Sequence, residues 1–380
     1  MGDRFDSLDG MRGVRAPDKS GSRYESLDGM RGLCALFVAI FHCDLILQSG
    51  HLLNHGWLSV DIFFVLSGFV IAFTYEDRLK AGMPATTFLK ARARRLIPVH
   101  ILGTLLAGAS YLVMLLTGTM PHPVSGPLLA LAFVYGLLLI PITFSPYAGQ
   151  FLSWDTTFPI NTPLWSLNAE WIANIIYANR LYGIPAATLF VLFLGLAGCF
   201  TASVFGSHPP WINAGVFGFL MDTIRGAGGF TAGLLVYRVS RTAGFQRLPV
   251  VRAEIIYAIW FLVCSIPSNK PRAEFEVAST LVIAPLLVAL LVRSDRKMPK
   301  AYRVLGRLSY PLYASHWAAC NLLAAVLVPA AHHSVLWVVP ALGTALPLAW
   351  AVDWISQRLT PRTPLLTGAS RAAMPDRSVG

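Results

Sequence analysis

The chain has 380 residues, of which 55% are hydrophobic and only 13% charged, with a mean hydropathy of +0.58. Soluble domains carry about 25% charged residues, so a soluble multidomain enzyme is excluded, and the composition instead fits repeated membrane spans of about 20 apolar residues each. The 30 Lys and Arg against 19 Asp and Glu give a formal charge of +11. These basic residues cluster beside apolar segments and form no long aromatic-interleaved surface, which favours positive-inside topology and argues against a nucleic-acid partner.

The first 32 residues are polar, and no cleavable signal peptide is expected in them. They contain a repeat: Phe5-Asp6-Ser7-Leu8-Asp9-Gly10-Met11-Arg12-Gly13 returns as Tyr24-Glu25-Ser26-Leu27-Asp28-Gly29-Met30-Arg31-Gly32. Only the second copy leads into an apolar run, and the first is read as a local duplication without a function of its own. Residues 1–25 are therefore expected to be a disordered cytoplasmic tail, 26–360 a transmembrane domain, and 361–380 a second disordered cytoplasmic tail.

Apolar segments follow at 33–49, 57–75, 96–118, 127–143, 164–179, 184–205, 211–237, 253–267, 277–292, 304–330 and 334–357. Lys and Arg are dense before Leu33 and in 78–95, 238–252 and 293–307, which assigns these stretches to the cytoplasm. The connection 50–56 has neither, so the first hairpin goes out and back. Two cytoplasmic termini need an even number of crossings, whereas the candidates number eleven. One segment, 127–143 or 164–179, is therefore expected to be re-entrant or interfacial. The predicted fold is an all-α polytopic bundle of about ten spans, retained in a bacterial inner membrane; eleven would put the termini on opposite sides. The five cysteines (Cys34, Cys43, Cys199, Cys264, Cys320) lie in or beside apolar runs without CxxC spacing and read as packing residues, neither disulfide framework nor metal site.

Arg31 and His42 are eleven residues apart, a spacing that returns to nearly the same helix face and separates them by roughly 16 Å. An Arg at the cytoplasmic edge thus puts His42 near mid-membrane, where an ionisable group is a functional candidate; the alternative is a structural His bonding a neighbouring helix. Asp61, in Val60-Asp61-Ile62-Phe63-Phe64-Val65-Leu66-Ser67-Gly68-Phe69, either orients His42 or pairs within the bundle. Arg92, Arg94 and Arg95 precede Leu96-Ile97-Pro98 and can bind phosphates, although topology and lipid headgroups alone account for such a cluster. Trp165-Ser166-Leu167 with Glu170 supplies a second carboxylate as candidate partner for His42, and Trp165 is equally an interfacial anchor. Ser309, Tyr313 and His316 share one helical face and form a polar stripe that points to a cavity.

Taken in order over about residues 24 to 360, these motifs resemble the acyltransferase 3 family of integral-membrane acyltransferases. The likeness rests on Arg31 and His42, Val60 to Phe69, Arg92 to Pro98, Trp165 to Glu170, and Leu305-Gly306-Arg307-Leu308-Ser309-Tyr310 with Tyr313 and His316. It implies acyl-CoA donors, most often acetyl-CoA, and hydroxyl acceptors on cell-envelope, exported or lipid-linked carbohydrates. It also implies a catalytic His42, with Asp61 or Glu170 fixing its tautomer, and a donor-binding role for Arg31, Arg92, Arg94 and Arg95. Met30 and Cys34 stand where the family more often has aliphatic or small residues, and its common exported hydrolase-like domain has no counterpart in 361–380. The rival from another class is a proton-coupled transporter or flippase with His42, Asp61, Glu170 and His316 as the relay. A non-catalytic membrane scaffold would leave these buried groups unexplained.

Overall fold

The computed structural model describes residues 24–47, 52–120, 124–154, 156–206, 215–267, 273–294, 296–327 and 335–360, and every regular element among them is helical. The first repeat copy and both expected tails lie outside the described residues, apart from Tyr24 and Glu25. The helices are α1 (Glu25–Leu47), α2 (Ser59–Lys80), α3 (Ala85–Thr117), α4 (Gly126–Leu137), α5 (Leu164–Asn179), α6 (Ala186–Phe205), α7 (Gly215–Ser240), α8 (Ala253–Ser265), α9 (Ala273–Ala278), α10 (Ala284–Arg293), α11 (Lys300–Leu327) and α12 (Val338–Leu359). A π turn, Ser279–Ile283, joins α9 and α10 into one rod, so each of the eleven apolar segments carries helix.

Six helices among the described residues are long and apolar enough to cross a membrane: α1, α2 with its preceding turn, α3, α6, the α9–α10 rod and α12. The other segments fall short for different reasons. At 12 residues, α4 spans only about 18 Å against a core of about 30 Å, and α8 and α5 have 13 and 16 residues. Helices α7 and α11 have 26 and 28 residues, but Asp222 and Arg225 interrupt the first and Tyr310, His316 and Asn321 the second. Large apolar side chains nevertheless point outward along α3 (Leu105, Leu112, Leu116), α6 (Phe190, Val191, Leu194) and α8 (Ile255, Ile259, Leu262). So many exposed large apolar side chains need lipid, not water, as their solvent.

The bundle is organised around α11, which packs extensively on α1, α3 and α12, while α2 packs on α7. Close approach of α1 and α11 explains why α1 begins well before Leu33. Its first turns are buried against protein, and a Cβ at Gly306 would stand 2.6 Å from the Asp28 carbonyl oxygen. Small residues that let backbones meet are the usual means of packing helices in lipid, where apolar burial between helices contributes little.

Charged side chains gather at one end of the bundle. Glu76 near the end of α2 pairs with Lys80 (2.8 Å) and with Arg238 of α7 (2.9 Å), and Arg238 also donates to the carbonyls of Tyr182 (3.1 Å) and Ile184 (3.2 Å) beyond α5. Arg307 of α11 pairs with Asp353 of α12 at 3.1 Å, and Arg303 with Glu25 of α1 at 3.7 Å.

The expectation that all five cysteines only pack fails at Cys43 and Cys320. They form a disulfide between α1 and α11, with Cα atoms 5.2 Å apart, whereas Cys34, Cys199 and Cys264 are free. The two partners are 277 residues apart, so no local spacing advertises the bond. Alkylation in denaturant without reductant should label the three free cysteines, and prior reduction should raise the number to all five. Five labelled without reduction would contradict the cross-link.

Candidate active site

The basic segment at the start of α3 turns Arg92 and Arg95 toward a cavity of about 70 Å³, which α1 meets with Arg31, α5 with Glu170, and α11 with Ser309 and Tyr313. A second cavity of about 330 Å³ continues from it toward the charged end, sharing Arg31, Arg95, Ser309 and Tyr310 and adding Arg94 and Arg307. Glu170 accepts from Arg92 Nη2 and from Ser67 Oγ (2.8 Å). Three guanidiniums, Arg31, Arg92 and Arg95, thus meet a single carboxylate on the inner cavity wall. Arg92 Nε is buried without a hydrogen-bond partner among the described residues. A buried donor of this kind is costly unless something accepts from it, and the surplus positive charge fits an anion with planar or tetrahedral oxygens.

Tyr313 closes the inner end of the smaller cavity. Its hydroxyl bonds Ser166 Oγ at 2.7 Å, and its ring lies 5.5 Å from Phe63 and 5.8 Å from His316. Beyond it, His316 stacks on His42 with ring centroids 5.1 Å apart, and His42 Nδ1 is 2.9 Å from His316 Nε2. Trp317 sets its edge toward His42 at 5.3 Å. His42 is only partly buried, whereas His316 is completely so. His42 does not line either cavity; ring contacts connect it to the cavity wall, through His316 (5.1 Å) to Tyr313 (5.8 Å).

The structure therefore brings Arg31, Arg92, Arg95, Glu170, Ser309 and Tyr313 to one cavity, Arg94 to its outer continuation, and His42 and His316 to a pair beyond it. Trp165 packs on Phe64 (5.9 Å) beside this region. Neither Asp61 nor Glu170 hydrogen-bonds the His42 ring; Asp61 takes the other course open to it, pairing within the bundle. Glu170 is held by Arg92. Asp61 faces α7, where Arg225 clasps both its oxygens (2.8 and 2.6 Å), Thr280 donates to it from the π turn (3.1 Å), and Arg225 also reaches Glu276 (3.1 Å). Intramembrane charges normally pair with one another, so the missed residue Arg225 had a signal: an arginine inside the apolar, glycine-rich run 215–240. Arg307, in the Leu305 to Tyr310 motif, lines the outer cavity as well. Outside the spans, His55 is buried against the Phe275 ring (4.7 Å), and loss of solvent pushes its pKa below the ordinary imidazole value, so it stays neutral beside this network.

The model of the acyltransferase 3 family, described as an acyltransferase domain, matches residues 24–354. The chain belongs to this family, and the protein is an acyltransferase that transfers groups other than amino-acyl groups. It is 35% identical over 185 residues to Protein 2 in picA locus of Rhizobium radiobacter, covering 47% of this chain and 82% of that protein. It is 30% identical over 158 residues to the exopolysaccharide production protein ExoZ of Rhizobium meliloti (strain 1021), covering 40% and 44%. It is also 26% identical over 289 residues to acyltransferase MdmB of Streptomyces mycarofaciens, covering 70% and 69%. No solved structure matches the chain.

Proposed function

We propose that the protein is a membrane-embedded O-acyltransferase that takes an acyl group, acetyl in the simplest case, from acyl-CoA and passes it to a hydroxyl of a cell-envelope or exported carbohydrate. One observation carries this reading. An arginine-lined pair of cavities is bounded by Arg31 of α1 and by Ser309 and Tyr310 of α11, the same two helices that hold the His42–His316 pair. The similarity to an exopolysaccharide production protein supports a carbohydrate acceptor.

The charged end faces the cytoplasm in this account, as the positive-inside rule requires. With α4, the shortest of the eleven apolar segments, left out of the count, the other ten alternate through ten crossings and both termini are cytoplasmic, in a bacterial inner membrane. Donor phosphates bind Arg92, Arg94, Arg95 and Arg31, with Arg307 at the outer cavity. The pantetheine arm then extends inward over a depth comparable to the roughly 16 Å between Arg31 and His42, displacing the Tyr313 ring on its way. His42 takes the proton of the acceptor hydroxyl as its oxygen attacks the thioester carbonyl. The carbon–sulfur bond breaks, and the proton passes to the departing thiolate, giving ester and free CoA. Among the described residues no hydrogen bond links the histidine pair to Asp61 or Glu170, which are engaged by arginines, and this favours acyl transfer over a proton relay.

Arg92→Ala combined with Arg95→Ala should raise the apparent KM for acetyl-CoA by about tenfold or more, the loss expected for charged hydrogen bonds, with a smaller change in kcat. Purified protein, labelled acetyl-CoA and an oligosaccharide acceptor provide the assay. An unchanged donor KM, with only membrane insertion altered, would leave the cluster a topological signal.

A further inference from the structure

We infer that His316 is a positioning residue that fixes the tautomer of His42, keeping the proton on His42 Nδ1 and leaving Nε2 bare to receive the proton of the acceptor hydroxyl. The inference rests on the acyl-transfer reading above and follows from the hydrogen bonds of the two rings. His316 Nδ1 lies 3.1 Å from the carbonyl oxygen of Leu312, one turn earlier on α11. A carbonyl only accepts, so His316 Nδ1 carries the hydrogen. A neutral imidazole has one N–H, and His316 Nε2 is therefore an acceptor. It stands 2.9 Å from His42 Nδ1, which must then be the donor, its hydrogen shared with the backbone of Val38 one turn earlier on α1, and the second nitrogen of His42 is left with its lone pair. With both rings neutral, the opposite assignment would set two lone pairs against each other at 2.9 Å or leave the Leu312 carbonyl facing one.

Burial and packing divide the roles between the two rings. His316 is fully enclosed, and His42 retains access. The Cys43–Cys320 bond follows directly after His42 and one helical turn after His316, so it pins α1 against α11 at the level where the rings meet. The carboxylates that might have done this work are occupied elsewhere, Asp61 by Arg225 and Glu170 by Arg92. In triad enzymes a carboxylate holds the base in its working tautomer, and losing it costs about 10⁴ in kcat; here a neutral imidazole anchored on a backbone carbonyl takes that place.

The test compares His316→Leu, which fills the space without an acceptor, with His316→Gln, which can accept from His42 Nδ1 through its amide oxygen. His316→Leu should lower kcat by about 10² to 10⁴ at an unchanged donor KM, and His316→Gln should recover at least about tenfold of that loss. A His316→Leu enzyme with wild-type kcat, or a His316→Gln enzyme no better than His316→Leu, would overturn the inference while leaving acyl transfer intact. Absence of any turnover by the wild-type protein would instead overturn the acyl-transfer reading. Should the Leu variant fail to fold, ¹⁵N spectra of histidine-labelled wild-type protein decide the matter. The His42 signals must report a protonated Nδ1 and a bare Nε2, and the reverse pattern would refute the assignment.

Discussion

His42→Ala should abolish measurable acyl transfer, with a loss of at least the 10² to 10⁴ that a general base contributes. The donor should still bind, because Arg31, Arg92 and Arg95 line a cavity that His42 does not touch. Folding should survive as well: the neighbouring disulfide still ties α1 to α11, and the removed ring is only partly buried. His316 would lose its Nε2 partner, at a cost of about 1–3 kcal/mol, which a bundle of this size can absorb. Labelled acetyl transfer by purified variant protein, with acetyl-CoA binding measured alongside, separates the two effects. Retained turnover would remove His42 from the chemistry, and lost donor binding would show that the histidine and the arginines form one site.

The largest expected effect on stability belongs to Arg225. Its side chain is 7% exposed, those of Asp61 and Glu276 are 1% exposed, and the three form a single buried cluster linking α2, α7 and α9. The Trp57 ring also lies under the guanidinium, 4.9 Å away. Arg225→Ala strands two carboxylates in a low-dielectric interior, and breaking such a pair by removing one partner costs about 3–5 kcal/mol. The combined variant Arg225→Met, Asp61→Asn, Glu276→Gln should recover much of this, because neutral groups of similar size are cheaper to bury than unpaired charges. Thermal unfolding in detergent reads both. An Arg225→Ala protein as stable as wild type would mean that the carboxylates find water or protons without cost.

The sequence carried the facts that depend on one helix at a time. Eleven apolar runs became helices, and the eleven-residue spacing put Arg31 and His42 on one face of α1. What it could not carry was the choice of neighbours. Asp61 was legible as an intramembrane carboxylate, but its partner depends on which face of α2 meets α7, and that is fixed by small residues such as Gly68 and Gly233 that let the two backbones touch. The Cys43–Cys320 bond and the His42–His316 contact depend in the same way on the register of α1 against α11. Hydropathy also misplaced the start of α1, because its first turns are buried by protein and need not be apolar to be helical.

The claim on which the account depends is that a donor held by the arginines reaches His42 past Tyr313. A structure determined with a non-hydrolysable acetyl-CoA analogue tests it most directly. The account predicts phosphates on Arg92, Arg95 and Arg31, the Tyr313 ring turned aside, and the acyl carbon placed so that a hydroxyl oxygen about 3–3.5 Å away can hydrogen-bond His42 Nε2. An analogue whose acyl end stays on the arginine side of a closed Tyr313, or whose phosphates bind elsewhere, would contradict it.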